Sequence, residues 1–321
     1  MKIWSNGDFG SEGMALLAGG VGTHSLVLSD SRNSSVLAGG QRDPSIAGAD
    51  IAFGQPAPED CLANPGLRWI EVSSAGYTRY DTAEFREAMR SRGTVFTNAS
   101  QAYADACAEH VLAMMLALGR QLLPSFATQQ GDRSWPYQER RDQSRLLTGQ
   151  TVALLGFGAI GRRLAELLAP FHARVFAVRR SIRSEPGVRV VAEESLTMVL
   201  AEADHVVNVL PENDTTRNYV NARRIACFKP GARFYNVGRG TTVDQDALIK
   251  GLESGRIGAA YLDVMVPEPL PKEHPLWSAP NCFITPHTAG GRNNVNEELV
   301  RHFLANLALF QTGGQLVDRV L

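Results

Sequence analysis

Cysteine is scarce in this chain. Cys61, Cys107, Cys227 and Cys282 are its four cysteines; they lie far apart, and no C-x-x-C occurs. That pattern suggests neither a zinc site nor a dithiol redox pair and is what free thiols in a reducing compartment give. Charge of one sign is missing too. Lys and Arg total 32 against 33 Asp and Glu, a formal net charge of −1, so no bulk attraction to nucleic acid or to an anionic membrane is expected. No apolar run reaches spanning length; the longest, Val111 to Leu118, is far too short. The opening MKIWSNGDFGSEG lacks the apolar core of a signal peptide, so a cytoplasmic location is expected. There is no G-x-S-x-G and no His/Cys/Asp cluster at metal-ligand spacing, so neither a serine hydrolase nor a metal site is indicated.

The chain has 321 residues, enough for two domains and a large core. Lys2–Ser5, Ser25–Ser29, Asp50–Phe53, Arg68–Ser73 and Thr94–Thr97 read as short strands, separated by helical or loop segments such as Thr82–Arg90. Ala102–Arg120 is a long apolar-rich helix that reads as a link between domains, and polar Gln129–Gly149, with Trp135 and Pro136, reads as an outward loop. The pattern then restarts. Strands are expected at Thr151–Leu155, Arg174–Val178, His205–Leu210, Arg233–Val237, Ala259–Val264 and Cys282–Thr285, with helices at Asp246–Ser254 and Asn296–Gln311. Alternating strands and helices imply parallel sheets, here an α/β chain of two doubly wound domains.

The most specific local motif is Gly156-Phe157-Gly158-Ala159-Ile160-Gly161, a G-x-G-x-x-G between the apolar strand TVALL and a segment with helical apolar spacing. Gly156 allows the tight turn, Gly158 lets backbone approach a pyrophosphate, and Gly161 lets helix and strand pack closely. The helix N-terminus then offers N–H groups and a positive dipole end to the phosphates. An NAD-binding unit carries an acid roughly 20 residues further on, at the end of the second strand, to hold the ribose 2′-OH. Here that strand ends in Arg179-Arg180-Ser181, and the first acid is Glu185. Arginine can pair bidentately with a 2′-phosphate, so the charge logic favours NADP(H), with NAD(H) as the alternative.

Three polar residues follow expected strands of the second unit: Arg239 in YNVGRG, Glu268 in PEPLP and His287 in TPHTAG. Ligands of open α/β sheets bind at that edge. An arginine, a carboxylate and a histidine there can bind an anion and move a proton. His24, His172, His205, His274 and His302 have no clustered partner in sequence, and His110 reads as a packing residue.

GFGAIG, KPGARFYNVGRGTTVDQDALIKGLESGRIGAAYLDV, PEPLP and HPLWSAPNCFITPHTAG together resemble the D-isomer-specific 2-hydroxyacid dehydrogenase family. The match spans nearly the whole chain and is strongest from Leu147 to Gly291. The resemblance implies a flavodoxin-like substrate domain at 1–99 and 289–321, completed by the C-terminal helix, and a Rossmann coenzyme domain at 100–288. It makes His287 the general acid/base, Glu268 its hydrogen-bond partner, and Arg239 the group that binds the substrate carboxylate and polarises the carbonyl. It places Asp263 at the nicotinamide carboxamide, and Leu210, Pro211, Thr216, Val237, Gly238 and Ala289 around the coenzyme. It assigns the backbone of Ser74, Ala75 and Gly76 to the substrate carboxylate. The Arg-Arg-Ser ending resembles the NADPH-preferring glyoxylate/hydroxypyruvate reductase branch. That branch implies a homodimer, and Trp135 lies where some members close the partner's active site with a tryptophan. One departure is Pro211-Glu212-Asn213-Asp214-Thr215-Thr216 in place of P-L-T-P-E-T, which sets Glu212 where an apolar residue is usual. Nothing in the sequence to Leu321 corresponds to the regulatory domain that some phosphoglycerate dehydrogenases carry, so none is expected.

The expectation is NADPH-dependent reduction of a small 2-oxo acid, with glyoxylate and hydroxypyruvate first, to the D-2-hydroxy acid. The alternatives are an NAD-dependent enzyme for a bulkier or phosphorylated 2-hydroxy acid, and a non-enzymatic dinucleotide sensor. The intact Arg239, Glu268 and His287 argue against the last.

Overall fold

A computed structural model describes residues 1–33, 39–179 and 184–321. The chain divides into two compact units, Met1–Tyr103 with Arg292–Leu321, and Ala104–Gly291. Each carries one wholly parallel sheet.

The first unit is built on β1 (Lys2–Gly7), β2 (Ser25–Asn33), β3 (Ile51–Gly54), β4 (Trp69–Val72) and β5 (Val95–Thr97), in the order β2-β1-β3-β4-β5. That is the flavodoxin-like order. β3 and β4 are buried along their whole length, as central parallel strands covered on both faces must be. One covering element comes from the chain's end. Helix Val295–Thr312 inserts Phe303 between Phe53 and Trp69, with ring centroids 4.1 and 5.1 Å away, and Phe9 stacks on Phe53 at 4.8 Å. Burying each such ring contributes roughly 1.5–3 kcal/mol, which is why the terminal helix belongs with the first unit.

β4 also carries a fully buried carboxylate, Glu71. Its oxygens accept from Thr97 Oγ1 (3.0 Å), Asn306 Nδ2 (2.7 Å) and His302 Nδ1 (3.0 Å), while His302 Nε2 reaches Asp318 Oδ2 at 3.1 Å. Both ring nitrogens face acceptors, so both must donate and the ring is an imidazolium. Burial alone would push His302 down; the hydrogen bonds to Asp318 and Glu71, and their charges, push it up to about 9. A folded value above the unfolded one gives stability that is fully present below about pH 6.5 and is lost as the pH rises through about 9. Unfolding of the first unit should therefore become easier between pH 7 and 10, by on the order of 3 kcal/mol. His302→Gln should flatten that dependence in denaturant titrations followed by tryptophan fluorescence; an equally steep loss in the variant would remove His302 as the cause.

The second unit has β6 (Thr151–Leu155), β7 (Arg174–Val178), β8 (Val188–Val191), β9 (His205–Asn208), β10 (Ala232–Asn236), β11 (Ile257–Leu262) and β12 (Cys282–Ile284). Their order is β12-β11-β10-β9-β6-β7-β8, the Rossmann order with one further strand. The order reverses between β6 and β9, so the switch-point crevice opens where the glycine turn leaves β6.

Two sequence expectations change here. β8 is absent from the sequence reading because Val188-Arg189-Val190-Val191 is short and broken by a charge; in the fold Arg189 lies over the Phe176 ring, 5.5 Å from its centroid. Gln129–Gly149 is not one loop: its first residues end helix Leu122–Gln130, and it contains helix Tyr137–Gln143. Pro136 sits at the N-cap, where its missing N–H costs nothing, and Gln138 Nε2 donates to Asp142 Oδ1 one turn on (2.8 Å). Among the described residues, no single helix is long and apolar enough to cross a membrane, although Ser100–Gly119 and Leu122–Gln130 pass as a bent pair by length and composition.

Candidate active site

The C-terminal ends of β9, β10, β11 and β12 each deliver part of the second unit's polar edge. β9 and β10 end in asparagines opposite each other in register, Asn208 and Asn236, both buried. Asn208 Nδ2 donates to Asn236 Oδ1 (2.9 Å) and to Thr242 Oγ1 (2.6 Å). Thr242 Oγ1 and Asn236 Nδ2 donate in turn to the carbonyl of Arg239, at 2.6 and 3.2 Å. Every member of this network therefore helps hold the backbone of one arginine. Gly240 completes the fit, since a Cβ there would lie 2.2 Å from the Met265 backbone. Arg239 itself is half-buried and donates from Nη1 to the Gly238 carbonyl at 2.7 Å. Burial pulls its guanidinium down from the ordinary arginine value, and the charges of Glu212 and Glu268 push the other way.

β11 leads through Asp263 to the segment Val266-Pro267-Glu268-Pro269, whose two X-Pro bonds are cis. Gln245 grips this segment from both sides: its Oε1 accepts from Val266 N (2.8 Å) and its Nε2 donates to Val266 O (2.6 Å). Glu268 Oε1 accepts from Met265 N at 3.0 Å, and Glu268 Oε2 lies 2.7 Å from His287 Nδ1. Partial burial of Glu268 works to raise its carboxyl. Hydrogen bonds from His287 and Met265, with the charges of His287 and Arg239, outweigh it and hold the carboxyl below its usual value. Glu268 is thus ionised at neutral pH and can only accept, so His287 Nδ1–H donates and Nε2 is the nitrogen left to exchange a proton.

His287 follows β12 with φ of +54°, in the left-handed region that non-glycine residues seldom adopt. Asp263 over-determines that turn. Its carbonyl accepts from His287 N (2.9 Å), and its carboxylate accepts from Thr285 Oγ1 (2.6 Å), Thr288 N (2.8 Å) and Ala289 N (3.0 Å). At 2% exposure Asp263 spends most of its acceptor capacity on the histidine turn.

At the switch point, Gly156 has φ of +95° and packs on the Val209 carbonyl, while a Cβ on Gly161 would lie 3.1 Å from Gly156 O. Gly158 caps helix Ala159–Leu168, and a Cβ there would meet nothing within 4 Å. Packing does not demand glycine at that position. Phe157 is buried under the Arg162 guanidinium (5.2 Å to the ring centroid), and Ala159 and Ile160 open the helix.

Residues 112–289, more than half of the chain, match the family profile described as D-isomer specific 2-hydroxyacid dehydrogenase, NAD binding domain. The chain belongs to that family. A Corynebacterium melassecola protein described as an uncharacterized protein in the proB 3′ region is 36% identical over 89% of this chain and 94% of its own length. A glyoxylate reductase from Pyrococcus furiosus is 31% identical over 78% of this chain and 74% of its own. Among solved structures, an NADPH-dependent glyoxylate/hydroxypyruvate reductase from Sinorhizobium meliloti, in complex with NADP and sulfate, superimposes with a TM-score of 0.79 and 26% identity, over 99% of this chain and 98% of its own. This protein is accordingly an oxidoreductase that works with a nicotinamide dinucleotide.

In this dehydrogenase the structure brings Arg239, Glu268 and His287 to one sheet edge. Leu210, Pro211 and Thr216 form the turn after β9, where Thr216 Oγ1 donates to Pro211 O (2.6 Å), and Val237 and Gly238 lie against that turn, with Gly238 within 3 Å of the Leu210 backbone once a Cβ is added. Ala289 lies on the histidine turn. Arg179 directly follows β7, whereas Arg180 and Ser181 lie outside the described residues. Ser74, Ala75 and Gly76 follow β4 in the first unit, where Ser74 Oγ donates to Gly76 O (2.6 Å) and Asn98 Nδ2 to Ala75 O (2.8 Å). Trp135 is 89% exposed. The sequence reading overlooked Asn208, Thr242 and Gln245. The asparagines had a signal: each is a polar residue closing an apolar strand, HVVN and RFYN.

Proposed function

We propose that this protein reduces a small 2-oxo acid, of the size of glyoxylate or hydroxypyruvate, to the D-2-hydroxy acid with NADPH. The observation that carries the reading is the His287–Glu268 hydrogen bond at 2.7 Å, with the Arg239 guanidinium close enough to act on the same carboxylate. The dinucleotide, when bound, supplies the hydride. Glu268 keeps His287 oriented through the hydrogen bond to Nδ1, and His287 Nε2 gives the proton to the nascent alkoxide. Arg239 binds the substrate carboxylate and polarises the carbonyl, with a planar fork suited to two oxygens at once. The Ser74-Ala75-Gly76 backbone is a second holder of the carboxylate, Asp263 supports the nicotinamide amide as well as the histidine turn, and a homodimer is the working assembly, with Trp135 serving the partner subunit.

NADPH should exceed NADH in kcat/KM. A charge-assisted arginine contact is worth roughly 1.5–3 kcal/mol, or about 10–150-fold. Replacing Arg179 and Arg180 by neutral residues should erase most of that ratio. The check is steady-state reduction of a panel of 2-oxo acids with both cofactors in parallel. A wild-type preference for NADH would overturn the cofactor assignment, and no turnover with any 2-oxo acid would overturn the activity.

A further inference from the structure

Arg179, the residue that follows β7, is not left to the cofactor alone. Arg179 Nη1 lies 3.5 Å from Glu185 Oε1, and the same oxygen accepts from Arg162 Nη1 at 2.7 Å. Arg162 comes from the helix that the glycine turn opens, and Arg179 from the position where this class of fold discriminates the ribose. One carboxylate oxygen is thus shared by two guanidinium groups from two different elements. The backbone of Glu185 is anchored as well: it bridges Val188 at the start of β8, and its carbonyl accepts from Val188 N at 3.3 Å. The pairing is incomplete for Arg179, whose Nη1 is buried yet makes no hydrogen bond among the described residues. A half-satisfied, buried guanidinium nitrogen is a donor waiting for a better acceptor.

We propose that Glu185 is a specificity-determining residue for the cofactor: an internal carboxylate that competes with the 2′-phosphate for Arg179 and so tempers the preference for NADPH over NADH. The inference rests on the NADPH reading above. A 2′-phosphate carries more charge than the carboxylate and offers three acceptor oxygens, so it can displace Glu185 from Arg179. It does so against the ion pair already formed and against the charge of Glu185 itself. NADH brings only a hydroxyl to the same place and leaves the Glu185–Arg179 pair intact. Glu185 therefore weakens NADPH binding and leaves NADH binding unchanged or improved, placing the wild-type preference toward the lower end of what a free arginine would give. The strand missing from the sequence reading, β8, is what returns Glu185 to this place.

The test is fluorescence titration of the full-length protein with NADPH, NADH, and the fragments 2′-phospho-AMP and AMP, for wild type, Glu185→Gln and Arg179→Gln. Glu185→Gln should tighten NADPH and 2′-phospho-AMP by about 2–5-fold, the scale of a partly exposed ion pair, while AMP and NADH are not tightened. The NADPH/NADH ratio in kcat/KM should rise by the same factor. Unchanged or weaker NADPH binding in Glu185→Gln, with Arg179→Gln still losing affinity for the 2′-phosphate, would overturn this inference and leave the cofactor reading standing. If Arg179→Gln binds NADPH as wild type does, both fall. Equal tightening of AMP and 2′-phospho-AMP would also overturn it, because the effect would then not act through the phosphate.

Discussion

His287→Ala should lower kcat by about 100- to 10,000-fold, the contribution of a positioned general acid, while NADPH still binds in a fluorescence titration. The expectation follows from how little else the structure offers. Glu268 is an ionised acceptor, Arg239 carries no proton to spare at neutral pH, and on the proposed reading the Nε2 of His287 carries the proton. The companion variant is Glu268→Gln. An amide keeps the shape and removes the charge, so the imidazolium loses its anionic partner and the pH profile of reduction should move toward acid. A profile identical to wild type would take Glu268 out of the proton transfer and leave it a purely structural neighbour. Near-normal kcat in His287→Ala would remove the histidine.

Arg239→Lys should keep the positive charge and still lose most of kcat/KM toward 2-oxo acids, by about 100-fold, the scale of removing one transition-state donor. The guanidinium can meet a carboxylate and a carbonyl oxygen with two parallel N–H groups; an ammonium is a point charge on a flexible stem. The structure adds a reason. Asn236 and Thr242 hold the Arg239 carbonyl and Asn208 holds both of them, so the backbone will not shift to let a shorter side chain compensate. NADPH should bind the lysine variant nearly as tightly as wild type, because its phosphates are assigned to the glycine turn and Arg179. Aldehydes and ketones without a carboxylate should be poor substrates for both proteins. Equal activity on carboxylate-free carbonyls, or near-normal turnover by the lysine variant, would move the anion site to the backbone at Ala75-Gly76.

Glu212 bears on the same residue. Its charge acts on Arg239, and it lies 3.9 Å from Arg217. The sequence showed Glu212 as a departure from the usual turn, but the structure alone shows which cation it works on.

Much of this protein was legible in its sequence, because the decisive features are local. Strand-turn-helix context around Gly156–Gly161, basic residues after β7, and polar residues after β10, β11 and β12 are read from neighbours in the chain, and the parallel sheet follows from alternating strands and helices. What the sequence could not determine are the relations between distant segments. Phe303 belongs between Phe53 and Trp69 across more than 200 residues of chain, and His302 is charged only because Glu71 and Asp318 converge on it. Asp263 reads as a cofactor contact by resemblance, yet its carboxylate is largely committed to the turn that carries His287. Glu185 looks like an acid too late in the sequence to matter until β8 brings it back to Arg179. The physical reason is the same in each case. Periodicity and turn chemistry are set by a residue and its near neighbours, whereas hydrogen-bond satisfaction and charge are set by whatever the closed fold places within 3 Å.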